Sequence, residues 1–232
     1  MAPGTLRKSR NAPRPDRVMR MIIDLHVHTK PRSPCSQIDP LEMVAEARRI
    51  GLDGICLTEH NTLWNPSEAE ELSRKGGISI FTANEITTDQ GDILVYNYHT
   101  PVPDVVPIVE LHREVAAAGG FMIAAHPLRG FKVFGVGQLK MTAPQAARRK
   151  VFQHVDAVEV RNGRLNDEEN DMASHVAQQL KLVGVAGSDA HRIDEIGRWV
   201  MVFSKTVSSD TDLVEEIRAG RFTIGTARQP PA

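Results

Sequence analysis

From Met21 onward the chain alternates short apolar runs with segments of helical spacing. Ile22-Ile23-Asp24-Leu25-His26-Val27-His28 is an apolar run that turns polar at its end, the pattern of a buried parallel strand. Asp39-Pro40 then opens a helix with Leu41, Val44, Ala45 and Arg48 in register. Asp39 fits an N-cap, Pro40 the first turn, and Gly51 the stop. The unit recurs. Strands are expected at Gly54–Thr58, Ile78–Phe81, Asp92–Tyr96, Phe121–Ala125, Val155–Val160, Leu182–Ala186 and Trp199–Phe203. Helices are expected at Pro66–Gly76, Pro107–Ala118, Asp167–Leu180 and Asp210–Ala219, the last closing the chain.

Such alternation predicts a mainly parallel sheet with helices outside it. Both an open sheet and a closed barrel satisfy it. His26, His28, His60, Glu85, His126, Asp189 and His191 all fall at or just past expected strand ends. A barrel gathers such ends on one face, where an open sheet would spread them along a crevice, so the pattern favours a barrel. No sequence repeat or linker interrupts residues 21–232, which are read as one domain.

Composition narrows this little. The 232 residues are 41% hydrophobic and 25% charged, ordinary for a globular chain, and only 5% aromatic, so the core is expected to be aliphatic. A net charge of -1 advertises neither nucleic acid nor an acidic membrane. Two cysteines, Cys35 and Cys56, make no disulfide scaffold and fit a reducing, cytoplasmic setting. No apolar run is long enough to span a bilayer. Residues 1–20, rich in Arg, Lys and Pro without an apolar stretch, read as a disordered basic tail.

The chemistry lies in the joint pattern. Alternate residues on a strand share a side, so His26-x-His28 can offer two imidazoles to one ion, and Asp189-x-His191 repeats the spacing with a carboxylate. Each residue alone has an ordinary structural explanation. Together, five of nine histidines fall at strand ends, while His99, His112, His154 and His175 lie elsewhere. Mixed imidazole and carboxylate donors suit Zn, Mn or Fe. They outnumber what one tetrahedral ion needs, so two or three divalent ions are expected, with Glu85 able to bridge.

Asp24-Leu25-His26-Val27-His28-Thr29, Gly51-Leu52-Asp53-Gly54, Thr58-Glu59-His60-Asn61, Asn84-Glu85, Ala125-His126-Pro127 and Gly187-Ser188-Asp189-Ala190-His191 resemble, in order, the motifs of the PHP (polymerase and histidinol phosphatase) superfamily. The resemblance covers roughly Met21 to Arg221. It implies an α/β fold, a distorted (β/α)7 TIM-like barrel, with a trinuclear metal centre. It also implies His26 and His28 on the first metal with Asp189 and Glu85 nearby, His126 on the second, and His60 and His191 on the third. Two positions depart from the pattern. Asp92 stands where many relatives carry histidine, with His99 as a competitor, and Cys35 stands where many carry Asp or His.

The expected activity is hydrolysis of a phosphoester by a metal-bridging hydroxide, on a small phosphomonoester or nucleotide, without a stable nucleic-acid complex. Arg129 would fork onto phosphoryl oxygens, Glu85 would hold the bridged ions, and His191 or a metal-bound water would protonate the leaving group. Arg161-Asn162-Gly163-Arg164 resembles a family segment near substrate, and Glu159 reads as a structural carboxylate. The loop Gly130–Thr142, with Phe131, Phe134, Gly135 and Gly137, has the composition of a lid. The rivals are an amidohydrolase-type C–N hydrolase and a metal-stabilised module without catalysis.

Overall fold

The computed structural model describes residues 20–102, 105–129 and 142–227. The basic tail, Arg20 apart, and residues 130–141 of the glycine- and aromatic-bearing loop lie outside them.

The described chain folds as one nine-stranded sheet with helices packed against it. In chain order the main elements are β1 (Met21–Val27), α1 (Pro40–Arg49), β2 (Gly54–His60), α2 (Pro66–Gly76), β3 (Ser79–Thr88), β4 (Gly91–Tyr96), α3 (Ile108–Ala117), β5 (Phe121–Ala124), α4 (Ala143–Ala146), β6 (Ala157–Asn162), α5 (Asp167–Leu180), β7 (Val183–Gly187), β8 (Val200–Phe203), α6 (Asp210–Arg218) and β9 (Phe222–Gly225). Local chemistry sets the helix ends. The Asp39 side chain accepts from Leu41 N with Pro40 in the first turn, Asn65 caps α2, and Asn166 with Glu169 forms a reciprocal box on α5.

The strand order is β7-β6-β5-β4-β3-β2-β1-β8-β9. The ribbon curls so that the end of β7 meets β1: Val27 bridges Ala190, with His28 N donating to Ala190 O at 3.0 Å and Ala190 N to His26 O at 3.2 Å. The result is a distorted TIM-like barrel. Its interior is filled by Ile23, Leu25, Phe81, Leu94, Tyr96 and Phe121, and α6 packs into the same cluster through Leu213, Val214 and Ile217. Separate apolar layers join α1 and α2 to β1–β3, and α3 and α5 to β4–β6.

The sheet is mixed rather than mainly parallel, which corrects the expectation. β1–β2, β2–β3, β5–β6 and β6–β7 are parallel, whereas β3–β4, β4–β5, β1–β8 and β8–β9 are antiparallel. The cause at β4 is the connection: only Asp89-Gln90 separate β3 from β4, and two residues can make a hairpin but not a crossover. β9, a strand beyond the last helix, was not expected from the sequence. β3 also continues three residues past Glu85, so that carboxylate lies within a strand and not at its end.

Candidate metal centre

The C-terminal ends of the parallel strands, and the start of antiparallel β4, face one end of the barrel. Two β-bulges re-aim side chains there. The register of β1 against β2 shifts between Asp24 and Val27, and that of β6 against β7 between Glu159 and Arg161. A bulge turns the following side chain off the regular alternation. Thus Leu25 can pack inside the barrel while His26 and His28 both reach its mouth. His126 and Asp189 adopt left-handed backbone, φ 28° and 54°, an uncommon conformation for such residues and one that clusters at functional sites.

Four groups of side chains each hold their ligand atoms within 4.8 Å of one another: His28–His60–His191, His26–His28–Glu85, His26–His126–Asp189 and Glu85–Asp92–His126. Every expected ligand except Cys35 therefore falls in a group. Glu85 Oε2 lies 3.0 Å from His60 Nδ1, 3.2 Å from His28 Nε2 and 3.5 Å from His26 Nε2, while Oε1 lies 2.8 Å from His126 Nε2. Asp92 belongs because β4 is antiparallel, so its first residues sit at the mouth.

The arrangement fits divalent cations. Glu85 Oε2 and Asp189 Oδ1 are buried and accept no hydrogen bond. His26 Nε2 and His28 Nε2 stand 3.0 Å apart, while each ring's Nδ1 is turned to an oxygen, Glu159 Oε1 at 2.9 Å and Ser33 Oγ at 3.3 Å. With both Nδ1 atoms donating, two lone pairs and two orphaned carboxylate oxygens face one space, and a cation satisfies all of them.

The charges support the same conclusion. Burial alone would raise Glu85, but the surrounding imidazoles, led by His26 and the His126 hydrogen bond, hold it well below the carboxylate range. Asp189 is likewise depressed despite burial, by His26, His28, His126 and Arg129. Burial disfavours a charged His26, yet Glu159, Asp189 and Glu85 outweigh it and raise its pKa well above the ordinary value. His191 goes the other way: burial and neighbouring His28 bring it down to about 4. Its Nδ1 lies 3.0 Å from Asp189 O, which turns Nε2 toward His28 and His60.

Several side chains outside the expected ligand set complete the site. Glu159 is 1% exposed and occupied on both oxygens: Oε1 pairs with His26 Nδ1, and Oε2 accepts from His126 N at 2.8 Å and Asn162 Nδ2 at 2.9 Å. Asn162 also reaches Asp189 Oδ2 at 3.3 Å. Asp24 ties β1 to the loops beneath the centre, accepting from Ser188 N and Gly197 N, both at 2.9 Å. The only sequence signal for Glu159 is a carboxylate inside an otherwise apolar strand.

Other expectations land at the fringe. Arg129 bonds Asp189 Oδ2 and lines a cavity of about 180 Å³ with Asp92, His126 and Arg149. Arg161 turns aside to Asp171 and Ser174, whereas Asn162 of the same segment faces the centre. Cys35 is exposed, and no ligand group among the described residues includes it. Local desolvation, with Glu85 and Asp189 nearby, pushes its thiol up, against the thiolate a metal needs. His99, His112 and His175 are exposed and join no group.

Comparison with known proteins agrees with the family and the fold. The PHP domain model matches residues 24–143, and a PHP-associated model matches residues 167–222. The uncharacterized protein MJ1587 of Methanocaldococcus jannaschii is 28% identical over 116 residues, 46% of this chain and 68% of that protein. PsfC from Pseudomonas syringae superposes with a TM-score of 0.59 at 20% identity, over 84% of this chain and 88% of its own. A candidate metal-dependent phosphoesterase from Bifidobacterium adolescentis gives 0.55 at 18% identity, over 83% and 94%. An amidohydrolase from Chromobacterium violaceum, with bound sulfate and no metal, gives 0.55 at 14% identity, over 89% and 98%.

Proposed function

The chain belongs to the PHP family, and we propose that it is a metal-dependent hydrolase and that the bond it cleaves is a phosphoester, in a small phosphorylated substrate or nucleotide. The observation that carries this reading is the cavity beside the ligand groups, which Arg129 and Arg149 line together with Asp92 and His126. Guanidinium groups next to a cation centre suit a phosphoryl group better than a neutral amide.

Two or three divalent ions, Zn, Mn or Fe, would be held by His26, His28, His60, Glu85, Asp92, His126, Asp189 and His191. When bound, they supply Lewis acidity and an activated water at neutral pH. Glu85 belongs to two of the four ligand sets and its two oxygens lie close to four imidazoles, so it is the side chain best placed to serve neighbouring ions. Arg129 binds the phosphoryl oxygens and leaves Asp189 to do so. His191 would serve as a ligand, and burial with neighbouring His28, which bring its pKa down to about 4, favour a water over this ring as the source of the leaving group's proton. The leaving group then takes its proton from water at the open side of the site.

A phosphoester panel beginning with p-nitrophenyl phosphate, run beside amide and cyclic imide substrates in Mn and in Zn, tests the proposal. Turnover of phosphoesters alone is expected. Turnover of the amides alone would transfer the chain to C–N hydrolysis, the reading its likeness to an amidohydrolase favours. Tight metal loading without cleavage of either class would leave a binding module.

A further inference from the structure

Behind His28 lies a buried polar chain that the hydrolytic reading does not use. Ser33 Oγ donates to Glu59 Oε2 at 2.5 Å, and the same oxygen is approached by His60 N at 3.2 Å and His28 Nδ1 at 3.3 Å. Glu59 and Ser33 are fully buried. Both oxygens of Glu59 already receive groups that can only donate: Trp64 Nε1–H on Oε1 at 2.9 Å and Thr29 N–H on Oε2 at 3.0 Å. Thr29 Oγ1 closes on Oε1 as well.

A hydroxyl has one proton and two lone pairs. The Ser33 proton goes to Glu59, and one lone pair takes the amide of His60. The remaining lone pair can only accept, so the ring atom facing it, His28 Nδ1, must carry a hydrogen. His28 Nε2 is then bare and directed at Glu85 and Asp189. We infer that Ser33 and Glu59 are positioning residues that fix the tautomer of His28, and thereby the lone pair it offers the centre, while anchoring the backbone of His60 through the same hydroxyl. His26 obtains the same result from direct contact with Glu159. The two imidazoles of one His-x-His pair are thus held by different devices, a carboxylate and a carboxylate acting through a hydroxyl.

The inference rests on the metal-centre reading but not on the substrate, and the counting predicts an inversion. In Glu59→Gln the amide, turned to keep its carbonyl on Trp64 Nε1, Thr29 Oγ1 and the second, 3.2 Å approach of Thr29 N to the same oxygen, donates to Ser33 Oγ. The Ser33 proton must then turn to His28 Nδ1, which loses its hydrogen, and Nε2 gains one facing the metal ligands. Ser33→Ala removes the constraint without inverting it, and Ser33→Thr restores the hydroxyl.

The test uses imidazole ¹⁵N shifts of His28 in the full-length, metal-free protein, with Zn affinity by chelator competition and circular dichroism to confirm folding. Expected are an Nδ1–H tautomer in the wild type and Ser33→Thr, a mixture in Ser33→Ala, and an Nε2–H tautomer in Glu59→Gln. Zn affinity should fall about 10- to 100-fold in the last two, the range for loss of a group that orients a metal-binding histidine. A folded Glu59→Gln that keeps the wild-type tautomer and affinity would overturn the inference. So would an Nε2–H tautomer in the wild type. Should any variant fail to fold, the wild-type tautomer still decides, since the counting permits only one. Failure of phosphoester cleavage leaves these readouts untouched.

Discussion

Glu159 Oε1 lies 2.9 Å from His26 Nδ1, a contact spanning 133 residues of sequence between two side chains that are essentially inaccessible to solvent. It orients a candidate ligand and makes its far nitrogen more basic. Glu159 also holds His126 through its backbone amide, so one carboxylate positions residues from two of the ligand groups. Glu159→Gln keeps the volume but can accept on one arm only, leaving a clash of donors on the other. Its Zn affinity, read by chelator competition, is expected to fall about 10- to 100-fold with the fold intact. An unchanged affinity would reduce Glu159 to the structural role that its place in the strand first suggested.

The same crowd of charges predicts how the metal-free protein responds to pH. The His26 pKa is raised well above 6.5, and that of His60 is raised by Glu85 against its own desolvation. A raised folded-state pKa gives stability that is complete below the ordinary histidine value and disappears as pH climbs through the raised one. Glu85 and Asp189 are depressed, so their contribution is present above the carboxylate range and lost as acid protonates them. The metal-free protein should therefore lose melting temperature as pH rises from the ordinary histidine value through the raised ones, while the loaded protein changes less, because cations replace the departing protons. Calorimetric titration of Zn in buffers of different ionisation enthalpy should show protons released on binding. A metal-free melting temperature that rises with alkalinity would contradict the assignment of His26 and His60 to this cluster.

Gly187, the last residue of β7, is where the barrel closes beneath the centre. A Cβ there would stand 2.5 Å from His26 Cβ and 3.0 Å from His26 N. Neither can retreat, since His26 is held by Glu159 and its carbonyl accepts from Ala190 N. Gly187→Ala is expected to destabilise the fold by about 1–3 kcal/mol, the usual cost of overpacking. It should also weaken metal binding by displacing His26. Urea unfolding and chelator competition measure the two effects, and a variant matching wild type in both would mean that β7 yields there without cost.

How far the sequence foretold all this depends on the kind of signal each residue carries. His26, His60, His126 and His191 stand out because a titratable ring at the end of an apolar run has few structural reasons to be there. The barrel followed from their need to converge. The two β-bulges left no composition signature, so the route by which both Leu25 and His26 find their places could not be read. Asp92 was legible as a substitute for histidine, but how it arrives was not, since that needs β4 to run backwards and bring its first residues to the mouth. Glu159, Glu59 and Ser33 act through other residues, and the contacts that matter most, Ser33 with Glu59 and His26 with Glu159, span 26 and 133 positions. A single sequence shows only that their polarity interrupts an apolar stretch or fills a loop.

Cys35 provides the sharpest contrast between the two kinds of reading. Its place in the chain makes it a ligand candidate, whereas the ligand groups of the described residues close without it and desolvation pushes its thiol pKa up. Glu85, by comparison, joins two groups and contacts four imidazoles. Metal analysis after gentle purification should find more than one ion per chain in the wild type and in Cys35→Ser, with equal turnover of phosphoesters. Glu85→Ala and His26→Ala should lose bound metal and reduce turnover at least about 100-fold, as removal of a group central to charge stabilisation does. If Cys35→Ser shed an ion while Glu85→Ala kept its full complement, the centre would have to be rebuilt around the thiol.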